Sequence, residues 1–457
     1  VRELVRRNLR FFVIASAAGI ILRLIFIFRF PGVVTDSFIY GDIAKNWLQH
    51  GVYGLGAGSD LAPTYIRLPG YPAFLAFVFA IFGMDHYRAA LLLQMFADVG
   101  TCFICASIAF RLLGPRSAKA AFLLAALCPF LADYTAAALT ETLEVFFTAL
   151  ALDLVLRALL DEGRYRFWLG SGAACGAAIL LRPDGALLLI AIEAYVAGKF
   201  LQQKISRSPV SSYSKLVAGG LLLAVIAVIP LAPWAIRNWR VFHRFQPLAP
   251  RYANEEDEFV PMGFNRWVKT WIADYTSVEE IYWPVPGSPL DVAKLPRRAF
   301  DTAQQYDQTA ALIDEYNDLL HVSPELDDRF EGLAAQRIRA HPFGYYVQLP
   351  VLRIADMWLR PRTEKLPCDS RWWELNDEPQ WSALAIALGV INLAYVGCAV
   401  GGWARSRNLP LIGVLVLFVA LRSAFLGSLE NPEPRYTLEM YPVVIVFAAS
   451  AITRKRD

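Results

Sequence analysis

The chain has 457 residues, of which 56% are hydrophobic, 13% aromatic and only 19% charged, and its formal net charge is +3. A soluble enzyme of this length carries nearer a quarter charged residues, and its apolar residues recur at a helical or strand period, whereas here they gather in long runs. So small a charge, with no basic stretch interleaved with exposed aromatics, argues against nucleic acid as a partner. An all-α membrane protein remains.

In chain order, Val1-Arg2-Glu3-Leu4-Val5-Arg6-Arg7 has the look of a signal-sequence flank, and Ala15-Ser16-Ala17-Ala18 imitates a cleavage site. The apolar run nevertheless continues to Phe28, long enough to span, so an uncleaved first helix is expected. Ten spans are predicted, about 20 apolar residues being the usual requirement. They are Phe11–Phe28, Ala89–Leu113, Ala118–Leu139, Thr142–Leu160, Phe167–Leu181, Gly185–Phe200, Leu216–Ile236, Trp381–Trp403, Leu409–Leu429 and Leu438–Ile452. The fifth and sixth are short and joined by the hairpin Arg182-Pro183-Asp184-Gly185.

Lys/Arg bias in short loops sets orientation. Arg2, Arg6, Arg7 and Arg10 put the N-terminus in the cytoplasm, and an alternating path places Gly114–Lys119, Arg157–Arg166, Lys199–Lys215, Arg405–Arg407 and Thr453–Arg456 there too. Pro72–Phe82 is too short to span, and Tyr345–Leu359 is broken by Pro350 and carries Arg353 and Asp356. Both read as helices lying along the outer interface. The expected organisation is a transmembrane module over residues 1–236 with its first outer loop at 29–88. An extracytoplasmic segment, 237–380, follows, with partly helical structure at Leu295–Leu320 and Pro324–Ala340, and C-terminal spans occupy 381–457.

Five of the six cysteines lie in apolar runs, where cysteine acts as a small hydrophobe. Cys102 and Cys105 have redox-motif spacing but sit inside a span, and a reactive thiolate needs a polar setting. The histidines show no metal-ligand spacing, and there is no Walker loop, nucleotide fingerprint or Ser-His-Asp pattern. Asp98, Asp153 and Glu193 lie deep in spans and read as helix–helix pairing residues.

Chemistry is expected on the long outer loops. Asp36 follows the first span by a few residues. After it, Ser37–His50 has an amphipathic helical pattern with Phe38, Ile39, Ile43, Trp47 and Leu48 on its apolar side. By position alone Asp36 could equally cap that helix. Arg67, Arg182, Arg237 and Arg435 all fall at outer ends of spans or in outer loops, where an arginine can also anchor to headgroups by snorkelling. Glu141 opens the fourth span on the outer side, costly unless wetted or paired.

The ordered series Asp36 with Tyr40 and Ala44, Gly51-Val52-Tyr53, Arg67-Leu68-Pro69-Gly70-Tyr71-Pro72, Thr140-Glu141-Thr142, Leu181-Arg182-Pro183, Pro233-Trp234-Ala235-Ile236-Arg237-Asn238 and Pro434-Arg435-Tyr436 resembles the GT-C superfamily of integral membrane glycosyltransferases, which includes protein O-mannosyltransferases and lipid A aminoarabinose transferases. The resemblance runs from residue 11 to about 445 and is poorest over 245–340. It implies an inverting transfer of a sugar from a polyprenyl-phosphate donor to a glycan, lipid or protein acceptor at the outer face, with Asp36 as general base. It also implies Arg67, Arg182, Arg237 and Arg435 as donor-phosphate ligands, and Tyr40, Tyr71, Glu141 and Tyr436 at the substrate. Ser37 stands where many relatives have a second acid, so no cofactor is assigned and a divalent cation stays an open alternative. No endoplasmic-reticulum retrieval signal is seen, and a bacterial inner membrane with the site facing the periplasm is expected. Two alternatives stand beside this reading: an O-antigen polymerase or ligase, which would rely on late-loop basic residues, and a lipid or sugar transporter.

Overall fold

The computed structural model describes residues 2–161, 164–206, 210–255, 257–375 and 378–453. The tail Arg454-Lys455-Arg456, and residues 162–163 and 207–209 of two loops expected to be cytoplasmic, lie outside the described residues. Helix dominates, and the one two-stranded element among the described residues is the small hairpin Gly54–Leu55/Ala62–Pro63. Five described stretches are long and apolar enough to cross a membrane: Leu9–Arg29, Tyr87–Leu113, Tyr213–Phe242, Pro379–Ser406 and Pro434–Ile452. The chain is an integral membrane protein. The other predicted spans are also helical, but Glu141–Leu160 carries Glu141, Glu144, Asp153 and Arg157, and Tyr165–Leu181 and Ile412–Gly427 have 17 and 16 residues.

The third predicted span is not one helix. It breaks into Pro115–Ala126 and Pro129–Tyr134, and residues 135–140 are not helical. Pro129 has no N–H to return to the Ala125 carbonyl and forces Cys128 into an extended conformation. Arg23, wholly buried in the first helix, takes up the freed acceptors. Its Nη1 donates to Ala126 O at 2.7 Å and its Nη2 to Ala125 O at 3.3 Å, while Nε donates to Asp98 Oδ2 at 2.6 Å. Past the break, Gly32 N–H donates to Ala136 O at 2.7 Å and Ala138 N–H to Gly32 O at 2.9 Å, a short parallel bridge that replaces helix. Non-helical backbone at membrane depth needs such internal partners. Asp98 thus pairs two helices as expected, and so does Asp153, which accepts from Ser107 at 2.8 Å and Arg111 at 3.2 Å. Glu193 Oε1 has no hydrogen-bond partner among the described residues.

The chain divides into two compact units, one of Val1–Glu256, Tyr395–Leu421 and Leu438–Asp457, the other of Asp257–Ala394 and Arg422–Thr437. The expected boundary at 237 moves to 257 because Leu248 and Ala249 pack with Ile43, Tyr53, Tyr65, Leu68 and Trp234 of the first unit. The second unit has its own aromatic core, with Phe264, Trp267, Trp271 and Phe330 buried against Leu326 and Ala334. The helix expected over Leu295–Leu320 begins only at Ala303, where Thr302 caps it by accepting from Gln305 N–H at 3.1 Å. Pro324–Ala340 matches its expected bounds, capped by Ser323.

Gly70–Phe82 and Leu349–Leu359 are both helical. In the latter, Arg353 and Asp356 turn inward: Arg353 Nε donates to Ile272 O at 2.8 Å, and Asp356 accepts from Tyr275 N–H at 2.9 Å. Val351, Leu352 and Leu359 of this helix are exposed, as are Phe343, Tyr346 and Val347 just before it.

Candidate active site

The first-loop helix, Thr35–His50, buries small residues. Ser37, Gly41 and Ala44 face inward with Ile43 and Asn46, whereas Phe38, Trp47 and Leu48 of the expected apolar side are exposed. Shape decides this: a Cβ on Gly41 would lie 1.8 Å from the Tyr87 hydroxyl oxygen, so only glycine lets the helix approach so closely. Asp36 does not cap. Val34 holds the cap position, and the Ser37 hydroxyl accepts from Val34 N–H at 3.1 Å. The Asp36 side chain, 38% exposed, is left to accept from Arg67 Nη2 at 2.9 Å on Oδ1. Its Oδ2 has no hydrogen-bond partner among the described residues.

Gly70 fixes where Arg67 can stand. A Cβ there would lie 2.5 Å from the Leu180 carbonyl oxygen, which is backbone and cannot step aside. The Arg67-Leu68-Pro69-Gly70 turn is thereby set against the end of helix Tyr165–Leu181, beside Arg182. The Arg67 guanidinium lies 5.8 Å from the Tyr40 ring centre. Tyr40 meets Tyr71 edge-on at 5.1 Å. Burial pushes the Tyr40 phenol up to about 12, opposed by Arg67 and assisted by Asp36, so it is a neutral donor at any physiological pH. Tyr71, expected at the substrate, is wholly buried instead, and its hydroxyl donates to Gln94 Oε1 at 2.6 Å. Gln94 Nε2 continues to Ala137 O at 2.8 Å, joining this floor to the bridge at Gly32.

Arg182 was expected to add positive charge. The structure surrounds it with three carboxyl groups, Glu141 at 3.6 Å, Glu144 at 3.8 Å and Asp184 at 3.3 Å, so it offsets buried acids instead of presenting a free cation. Glu141, 2% exposed, is accordingly a partner of arginine. Arg237 differs from expectation as well, since its guanidinium donates to the carbonyls of Thr64 and Tyr53, each at 2.7 Å. Asp36, Tyr40, Arg67, Tyr71, Glu141 and Arg182 are therefore brought together in the first unit.

Arg435 and Tyr436 lie in the second unit. Both engage Glu433, at 2.5 Å from Arg435 Nε and 2.5 Å from the Tyr436 hydroxyl. Arg362 Nη1 donates to Pro434 O at 2.9 Å and Arg422 Nε to Tyr436 O at 3.2 Å, so buried arginines hold the turn on both sides of Arg435. Among the described residues no group of three His, Cys, Asp or Glu is placed to hold a metal ion. Sequence reasoning gave no site role to Tyr53 or Asp184, though both stand in its motifs, and did not single out Gln94 or Glu144. Gln94 gave a signal, as a polar side chain inside an apolar span.

The sequence family described as dolichyl-phosphate-mannose-protein mannosyltransferase matches residues 65–234, under half of the chain. Curated proteins yield no match. Among solved structures, the archaeal oligosaccharyltransferase AglB from Archaeoglobus fulgidus, in complex with an inhibitory peptide and a dolichol-phosphate, is similar over 97% of this chain and 50% of its own, at 12% identity and a TM-score of 0.51. Its apo form gives 13% identity over 96% of this chain and 50% of its own, with a TM-score of 0.50. ArnT from Cupriavidus metallidurans bound to undecaprenyl phosphate gives 14% identity, 96% and 77% coverage, and a TM-score of 0.42. Identities this low speak to fold, and this chain spans half the length of the oligosaccharyltransferase. The fold is shared with that archaeal membrane protein.

Proposed function

We propose that this protein is an inverting glycosyltransferase that moves a sugar from a polyprenyl-phosphate donor to an acceptor hydroxyl or amine at the outer face of the membrane. The observation that carries the reading is the Asp36 carboxylate, oriented through Oδ1 by Arg67 and open at Oδ2. The GT-C fold supports it. In the step, the acceptor X–H attacks the anomeric carbon, the new X–C bond forms, and the bond from that carbon to the phosphate oxygen breaks. The proton passes to Asp36 Oδ2 as to a general base. The lipid phosphate leaves with the electron pair, and the remaining N–H groups of Arg67 and the neutral Tyr40 phenol are placed to stabilise its charge. A bacterial inner membrane with the site outward is the proposed setting.

The test is sugar transfer by the purified full chain from a defined polyprenyl-phosphate sugar, followed by mass spectrometry of the acceptor. Asp36→Asn should lower transfer by about 10²- to 10⁴-fold, the usual share of a positioned general base, with the protein still folded and still binding donor. An active Asp36→Asn chain, with loss on Arg435→Ala instead, would point to a polymerase- or ligase-type enzyme.

A further inference from the structure

Polar groups beneath the first outer loop form one continuous line from the helix Leu231–Phe242 to Asp36. Arg237 Nη1 donates to Thr64 O and Nη2 to Tyr53 O, both at 2.7 Å, so a single guanidinium clasps both arms of the hairpin Gly54–Leu55/Ala62–Pro63 from outside. Its central carbon lies 5.3 Å from the Tyr53 and Trp234 ring centres and 5.1 Å from that of Phe242. Tyr53, 6% exposed, turns its hydroxyl to the Arg67 carbonyl at 2.9 Å. Arg67 in turn holds Asp36. Thr64 tightens the same turn, giving its N–H to Tyr53 O at 3.0 Å and its hydroxyl to Glu255. A guanidinium with two nitrogens on loop carbonyls and three rings about it is oriented by the protein itself.

We propose that Tyr53 and Arg237 are positioning residues that set Arg67, and through it Asp36, and that Arg237 is not a ligand of the donor phosphate. The inference rests on the function proposed above for the importance of Arg67 and Asp36; the line of hydrogen bonds does not. The arginine fork matters here, because one ammonium cannot serve two carbonyls in fixed geometry. Lysine would keep the charge and lose the clasp, which separates a phosphate ligand from a strut.

The test uses the full chain in lipid nanodiscs, with undecaprenyl phosphate as the probe. Amide exchange is followed over residues 53–67, and probe binding is titrated in parallel. Tyr53→Phe and Arg237→Lys should each speed loop exchange and weaken probe binding by about 3- to 10-fold, the range of one net hydrogen bond. The double variant should be no weaker than the poorer single one, since members of one line are coupled. A Tyr53→Phe chain indistinguishable from the unaltered one in both readouts would overturn the proposal. So would an Arg237→Lys chain that keeps its loop protection. If the unaltered chain binds no undecaprenyl phosphate while both variants still loosen the loop, the donor reading falls and the positioning line stands.

Discussion

At the scale of single residues, the ion pair between Asp36 and Arg67 is worth little as glue. Partly exposed pairs contribute about 0–1 kcal/mol, so its consequence is direction: one carboxylate oxygen is pinned and the other left for a proton. Tyr40 supplies the complementary group, a phenol already neutral at physiological pH and pushed further up by burial. Tyr40→Phe should therefore lower turnover by about 10-fold or more, as removal of a donor to a developing charge does, with donor affinity changed less, read as separate kcat and KM. Asp36 and Arg67 stood out in the sequence through the ordered motif series, since position alone left the one as a helix cap and the other as a headgroup anchor. The roles of Tyr53, Glu144 and Gln94 were not legible, because what each does depends on a partner 14, 38 and 43 residues away in sequence (Arg67, Arg182 and Ala137). Arg182 and Arg237 were legible as outer-end arginines, but the groups that occupy them come from elsewhere in the chain.

At the scale of elements, apolar run length located nearly every helix, and hairpin chemistry at Arg182–Gly185 was readable from Pro183. The broken third span was misread because Ala118–Leu139 is apolar throughout, and composition does not report where hydrogen bonds go. Pro129 was the available signal. Arg23→Met should destabilise the protein by about 3–5 kcal/mol, the cost of leaving a buried charge unpaired. Arg23→Met with Asp98→Leu should recover part of that loss, as measured by thermal unfolding in detergent. Gly70→Ala should cost more activity than stability, because the Leu180 backbone it strikes separates the turn of Arg67 from the hairpin of Arg182. Transfer rate and melting temperature, measured on the same preparation, check this.

At the scale of the whole molecule, the proposed orientation rests on Lys/Arg bias in short loops. That predicts a sidedness. In a chain with Cys368 and Cys398 replaced by serine, a membrane-impermeant maleimide applied to intact cells should label Ser59→Cys and leave Arg407→Cys unlabelled until the cells are opened. Labelling in the reverse order would invert the topology and remove Asp36 from the outer face. The division into two units was less legible: the strap 243–255 belongs with the first unit because Leu248 and Ala249, partly buried, pack against its cluster there, and hydropathy does not distinguish a strap from the start of a domain.

The contacts of Arg23 also constrain how the protein can be made. A lone arginine near the middle of a membrane helix costs about 2.5–3.5 kcal/mol, and every group that satisfies it outside its own helix is synthesised later: Asp98, then Ala125 and Ala126. The first span cannot reach its final state when it leaves the ribosome. Its charge must wait the 75 residues to Asp98 and its remaining N–H groups the 103 residues to Ala126, and the Gly32 bridge waits for Ala137. A chain interrupted before Ala138 would hold Arg67 to pair with Asp36 but would lack the backbone bridge at Gly32.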